Sequence, residues 1–328
     1  MSQENEKKLL PDSQCYRQYG TANPEVMDIE FWREMVRSGE IAYHGRHRLC
    51  GESSEASPTW CFHRFGSTRT LLPDGRVICI GGEHEDYYDP DFCIYNDVIV
   101  VQPNGDFIIY GYPKDVFPPT DGHTATFVGN QIFIVGSIGY YGERGTVTSV
   151  FSLDLDTYAM TELHPSGQSP GWIHGHRASL SDDGKTLRLY GDRRSKAASR
   201  NLWKSAAELD LVAMSWRTDI EWQAPEEQPP LAERLLLAGW KPIDPDMVDF
   251  EINNLRWEIP IGHPLFGRDV MPWASGSTGE MIYLLFDGTG RLALVHLEGL
   301  MFQNAKLPLP EVRVYDNLRA LIDETTLH

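Results

Sequence analysis

The chain has 328 residues, 41% hydrophobic and 11% aromatic, the composition of a folded protein with a sizeable core rather than a disordered one. Its 47 acidic and 29 basic residues give a formal charge of −18, which opposes binding to nucleic acid or to an anionic membrane. No apolar run is long enough to span a bilayer, the opening MSQENEKKLL is polar, and five cysteines (Cys15, Cys50, Cys61, Cys79, Cys93) contain no CxxC pair, so a reducing, cytoplasmic setting is expected.

Residues 1–58 read as a loose tail followed by a helical flank. Asn23 stands as N-cap, Pro24 at the first helical position, and Glu25, Asp28 and Glu30 fill the opening turns. The helix EVMDIEFWREMVR is expected to stop at Ser38-Gly39, with Met27, Phe31 and Met35 on one stripe that docks on the body of the protein. The basic stretch HGRHRLC (44–50) reads as a solvated link.

From 59 to 222 the chain repeats itself. RVICIGG, QIFIVGS and TLRLYGD each run from an apolar strand into a glycine, and Gly81, Gly136 and Gly191 are equally spaced. Each follows a strand that opens with glycine (Gly66, Gly122, Gly175) and is joined to it by a tight polar turn. Two further apolar runs complete each unit, for example YNDVIVVQP and GDFIIYGY, giving four short strands per repeat.

This pattern resembles the Kelch repeat: an opening Gly-His strand, a second strand ending in Gly-Gly, an Asn-Asp-Val or Leu-Asp-Leu strand and an aromatic closing strand. Only the first unit keeps Gly81-Gly82, and a closing tryptophan survives only as Trp216. The resemblance implies an all-β dominated chain with a partial or degenerate β-propeller. Propellers have about four to eight blades, so three units do not close alone. Either the flanks supply degenerate blades or the remaining chain caps a partial propeller, and capping is the expectation.

Residues 223–232 (QAPEEQPPLA) read as a linker, and 223–328 as a smaller α+β module with a short helix, LAERLLLAGW, and strands MIYLLFD and RLALVHLEGL. HPLFGR, MIYLLF and LALVHLEG resemble a small bacterial domain of unknown function, which implies a bacterial origin. His296 alternates with apolar positions and reads as structural.

No catalytic residue is assigned. The chain has no Gly-x-Ser-x-Gly elbow, HExxH, phosphate-binding glycine loop or GxGxxG. Cys61 with His63, and His174 with His176, have the spacing of half a metal site, but Gly-His recurs at matching repeat positions and so reads as part of the repeat; no metal and no cofactor is expected. The acidic segment 83–91 reads as a solvated loop. The copper-radical oxidases related to galactose oxidase are Kelch enzymes, and their ligand set has no counterpart here.

The loops after the second strand of each unit carry Tyr87, Tyr88 and Phe92; Tyr140, Tyr141 and Arg144; and Arg193 and Arg194. The loop between the second and third units adds Trp172 and His174. In a propeller these loop classes share one face, and Tyr, Trp and Arg dominate interface energetics, although the same aromatics would also serve to pack loop on loop. The expected function is a bacterial Kelch-type protein-binding module, an immunity or inhibitor protein whose partner is a basic toxin or effector. From a different class, an enzyme acting on a small molecule in the propeller channel stays open.

Overall fold

A computed structural model describes residues 9–51, 58–84, 92–190, 206–218, 220, 233–244, 247–277, 279–285, 291–297 and 310–325. Antiparallel sheets dominate it. The proposed linker 223–232 lies outside the described residues.

Residues 9–51 are described throughout, including the stretch before the expected helix that was read as a loose tail. They contain β1 (Glu25–Val26), α1 (Glu30–Ser38) and α2 (Ala42–Cys50). The helix therefore starts later than the capping pattern implied, and Asn23 is not its cap. The Asn23 side chain instead donates to Met160 O at 2.8 Å and accepts from Met160 N at 2.8 Å. That exchange satisfies the amide and holds the following residues extended, so that β1 pairs with an otherwise open sheet edge. The helix end matches expectation: Gly39 adopts φ 62° and its N–H returns to Met35 O at 3.1 Å. Phe31 and Met35 are buried on α1 and Met27 on the extended lead-in. The basic stretch 44–50 belongs to α2 rather than to a solvated link. Arg46 is buried there, bonded to Asp12, Tyr16 and Thr59. Cys15 and Cys50 form a disulfide, and Cys61, Cys79 and Cys93 are buried thiols.

Each repeat unit is one sheet. The first contains β2 (Thr68–Leu71) and β3 (Val77–Ile80), then a separate ribbon of β4 (Glu83–His84) and β5 (Cys93–Ile94), then β6 (Val98–Val101) and β7 (Phe107–Gly111). Its order is β1-β7-β6-β3-β2. The second is β8 (Thr124–Val128), β9 (Gln131–Val135), β10 (Val150–Asp154) and β11 (Met160–Leu163), in chain order. The third is β12 (Arg177–Leu180), β13 (Thr186–Tyr190), β14 (Ala206–Asp210) and β15 (Ser215–Arg217), also in chain order. VICI of β3 and VIVV of β6 are buried at every position, which is why they read as unbroken apolar runs.

The C-terminal part holds α3 (Glu233–Leu237), β16 (Lys241–Pro242), α4 (Val248–Glu258), β17 (Val270–Ser275), β18 (Glu280–Leu285), β19 (Leu292–His296), β20 (Val312–Tyr315) and α5 (Leu318–Thr325). Its five strands form a fourth sheet, again in chain order.

The glycine and histidine punctuation has a physical cause at the sheet junctions. A Cβ on Gly81 would lie 2.3 Å from Thr120 O, and one on Gly136 would lie 2.6 Å from Ile173 O. In both cases the chain entering the next sheet crosses directly over the glycine. Gly122 N donates to Gly66 O at 2.8 Å, and Gly175 N to Gly122 O at 2.6 Å. Beside these bonds His123 Nε2 meets Thr68 Oγ1 at 2.9 Å, and His176 Nε2 meets Thr124 Oγ1 at 3.1 Å. The recurring Gly-His thus ties each sheet to the one before it.

The C-terminal part touches both ends of the repeat region, through β17 on one side and through α4 and the turn before β17 on the other. Arg177 of β12 reaches Met271 Sδ at 3.3 Å. On the other side Leu71 N donates to Gly267 O at 3.0 Å, Arg256 Nη1 to Ser67 O at 2.9 Å, and Phe65 meets Trp257 with ring centres 4.7 Å apart. Contacts therefore link the first sheet to the second, the second to the third, and the C-terminal part to both the third and the first. The opening strands β2, β8 and β12 lie side by side and stay half-exposed along most of their length.

Candidate functional site

The loop from Gly136 to Ser149 and the segment leading into β12 are fixed to each other by one backbone and one side-chain hydrogen bond. Ser137 N donates to Ile173 O at 3.1 Å, and Thr148 Oγ1 to Gly171 O at 2.6 Å. Asp121, at the entry to β8, accepts from Gly139 N at 3.0 Å through its carboxylate and from Ile138 N at 2.9 Å through its carbonyl. Burial raises the Asp121 pKa, and the Gly139 bond offsets part of that rise. Three stretches distant in sequence are thus locked into one support.

On this support stand four of the residues proposed from the sequence. Trp172 is half-buried, its indole N–H donating to Ser137 O at 2.9 Å and Ile138 O at 3.2 Å. The His174 ring lies 4.8 Å from the indole. The Arg144 guanidinium lies 4.9 Å from the Trp172 ring and 5.3 Å from that of Tyr141. Tyr141 is 88% exposed. The result is a continuous stack, Tyr141–Arg144–Trp172–His174, on rigid backbone and open to solvent at its Tyr141 end.

Tyr140 is placed differently. Its hydroxyl accepts from Ile94 N at 2.9 Å and from Arg17 Nη1 at 3.0 Å, and Phe92 packs edge-on against its ring at 5.7 Å. Its phenol is committed to joining the second sheet's loop to β5. Arg17 also donates to Ile94 O at 2.7 Å and covers the Tyr19 ring at 4.6 Å. Sequence reasoning assigned neither Arg17 nor Tyr19, because the residues before the expected helix were read as a loose tail. The alternation Tyr16-Arg17-Gln18-Tyr19 was the available signal. Tyr87, Tyr88, Arg193 and Arg194 lie outside the described residues, as does the acidic segment 85–91.

Lys114 pairs with Glu143 at 2.6 Å beside this patch, leaving Arg17 and Arg144 as its cations without a carboxylate at ion-pair distance among the described residues. Among the described residues no three His, Cys, Asp or Glu side chains stand close enough to hold a metal ion. Cys61 and His63 do not converge on such a group, and His176 is engaged with Thr124. No helix among the described residues is long and apolar enough to cross a membrane.

No family model matches the chain. The Rho GTPase-activating protein gacHH of Dictyostelium discoideum is 26% identical over 144 residues, covering 41% of this chain and 8% of that protein. The match thus spans less than a tenth of the relative's length. Among solved structures, that of YjhT covers 76% of this chain and 64% of its own, at 11% identity and a TM-score of 0.31.

Proposed function

We propose that the protein is a binding module of Kelch type, its sheets acting as propeller blades, that engages a protein partner through the Tyr141–Arg144–Trp172–His174 face. The stack on a locked support carries this reading. Its aromatic and guanidinium groups are the types that anchor interfaces, and they are already ordered, so little conformational entropy is lost on binding. The blade reading is supported by the antiparallel sheets paired largely in chain order and by contacts from α4 to the segment that opens the first unit. The net charge of −18 favours a basic partner at long range. A secreted toxin or effector neutralised in the bacterial cytoplasm is a partner of that chemistry. The cytoplasmic part of the proposal meets one direct check at Cys15–Cys50. Alkylation of denatured, unreduced protein yields three thiols if that bond exists in the cell and five if it does not.

Alanine variants at the face test the binding reading. Arg144→Ala and Trp172→Ala are each expected to weaken the captured complex by about 1–3 kcal/mol. Undiminished binding in both, measured per folded molecule, overturns it.

A further inference from the structure

A cavity of about 270 Å³ lies where the end of α1, the stretch before β2, the β6–β7 hairpin and the turn after α4 meet. Val36, Phe62, Phe107, Ile259 and Ile261 give it an apolar wall, and the exposed Arg37 and Gly105 mark its mouth. None of these residues belongs to the Tyr141–Trp172 face. Size is the first restriction on what fits. An apolar cavity of about 150 Å³ takes up a single benzene ring, so this one has room for a second, fused ring. Phe62 and Phe107 favour a flat aromatic guest through edge and face contacts.

Charge is the second restriction. Arg37 is already paired with Glu34 at 2.7 Å. Burial and the nearby Arg69 hold the His63 imidazole neutral at a pKa of about 3, the Gly39 backbone acting the other way. Arg69 is not part of the lining: it stands on the Phe62 ring, 5.5 Å from its centre, and donates to Arg256 O at 3.2 Å. The lining thus presents no unpaired charge to a guest. Polarity is the third. Gly39 has no side chain, so the backbone at the end of α1 itself faces the space. The carbonyls of Val36 and Arg37, in the last turn of α1, accept no backbone N–H among the described residues, and a helix C-terminus carries partial negative charge. Both ring nitrogens of His63 are shut off from water, so the acceptors on offer are those of α1.

We propose that this cavity binds a neutral two-ring aromatic molecule with one N–H donor, of the indole class, its rings against Phe62 and Phe107 and its N–H at the end of α1. A pocket that is mostly apolar, with a few placed polar groups fixing orientation, is the usual form of a small-molecule site. The inference does not rest on the Tyr141–Trp172 face and survives its failure.

Calorimetric titration of the full chain with indole tests the site. Saturation at one molecule per chain is expected. Benzothiophene, the same shape with sulfur in place of the N–H, should bind about three- to tenfold more weakly. Ile261→Trp fills the space and should abolish binding. If that variant does not fold, nuclear Overhauser contacts in the unaltered protein decide: contacts from indole protons to the methyl groups of Val36, Ile259 and Ile261 support the site, and contacts to Tyr141 and Trp172 in their place overturn it. Failure of indole to saturate at millimolar concentration also overturns the proposal. So does benzothiophene binding as tightly as indole, or the anion indole-3-carboxylate binding more tightly than either.

Discussion

Two clusters in this molecule are built from the same chemistry, aromatic rings around an arginine, and differ in what surrounds them. In the first sheet Arg64 lies between Trp60 and Tyr95, its guanidinium 4.9 Å and 3.5 Å from their ring centres. Both of its terminal nitrogens pair with Asp97, which also accepts from the Trp60 indole at 2.8 Å. Trp32 of α1 stacks on Trp60 at 4.9 Å and seals the group from water. Arg144 lies 5.3 Å from the Tyr141 ring and 4.9 Å from that of Trp172, but it donates to Gly139 O at 3.3 Å, no carboxylate pairs with it among the described residues, and it is exposed. The buried cluster has every strong group satisfied and serves to fix the N-terminal region to the first sheet. The exposed cluster has the same rigid aromatic surface with ring faces and donors left over. Residue type alone does not distinguish the two clusters; burial and the presence of a carboxylate do.

The largest break in this comparison is expected at the buried cluster. Asp97→Asn leaves the Arg64 charge in the core with half its partner, and a loss of about 3–5 kcal/mol in unfolding free energy is expected from denaturant titration. Next comes a dependence on acidity at the sheet junctions. Burial holds His123 and His176 at a pKa of about 3, against an ordinary 6.5. The unfolded chain therefore takes up protons that the folded chain refuses, so this contribution is complete above about pH 6.5 and is lost as pH falls toward 3. His123→Gln should flatten the fall in melting temperature across that window; an unchanged slope would show that the ring is protonated in the fold. Trp172→Ala should cost about 1–2 kcal/mol, because the indole is half-buried and bonded. Smallest are Tyr141→Ala and Arg144→Ala, within about 0.5 kcal/mol of the parent in stability. A melting temperature that drops in all three would make the exposed stack a packing device like the buried one.

The repeat region was legible because its signals are local. Glycine at crossing points, polar two-residue turns and unbroken apolar strands each follow from the contacts of one sheet with the next. Asn96 illustrates why: its amide donates to Tyr112 O at 3.0 Å and Phe117 O at 2.7 Å, so one motif residue satisfies the loop that leaves its own sheet. The N-terminal region was misread for the opposite reason. Asn23 and Pro24 fit a helix start as well as any local pattern can, and the bond that overrides them runs to Met160, far along the chain. Likewise α4 and β17 carry few sequence signals of their own, and their place beside the first and third sheets depends on Gly267, Met271 and Arg256 meeting partners that no spacing reveals. Of the site, the Tyr141–Arg144 loop and Trp172 were legible as exposed-type residues in equivalent loops, whereas the commitment of Tyr140 to Ile94 and Arg17 was not.

The exposed stack as a contact surface is tested most directly by photo-crosslinking in the native cell. A benzoylphenylalanine placed at Tyr141 is predicted to give an ultraviolet-dependent adduct with one protein, while the same group at Tyr43 or Val212, exposed positions away from the stack, gives none. Equal adducts from all three positions, or none from Tyr141, would contradict the account.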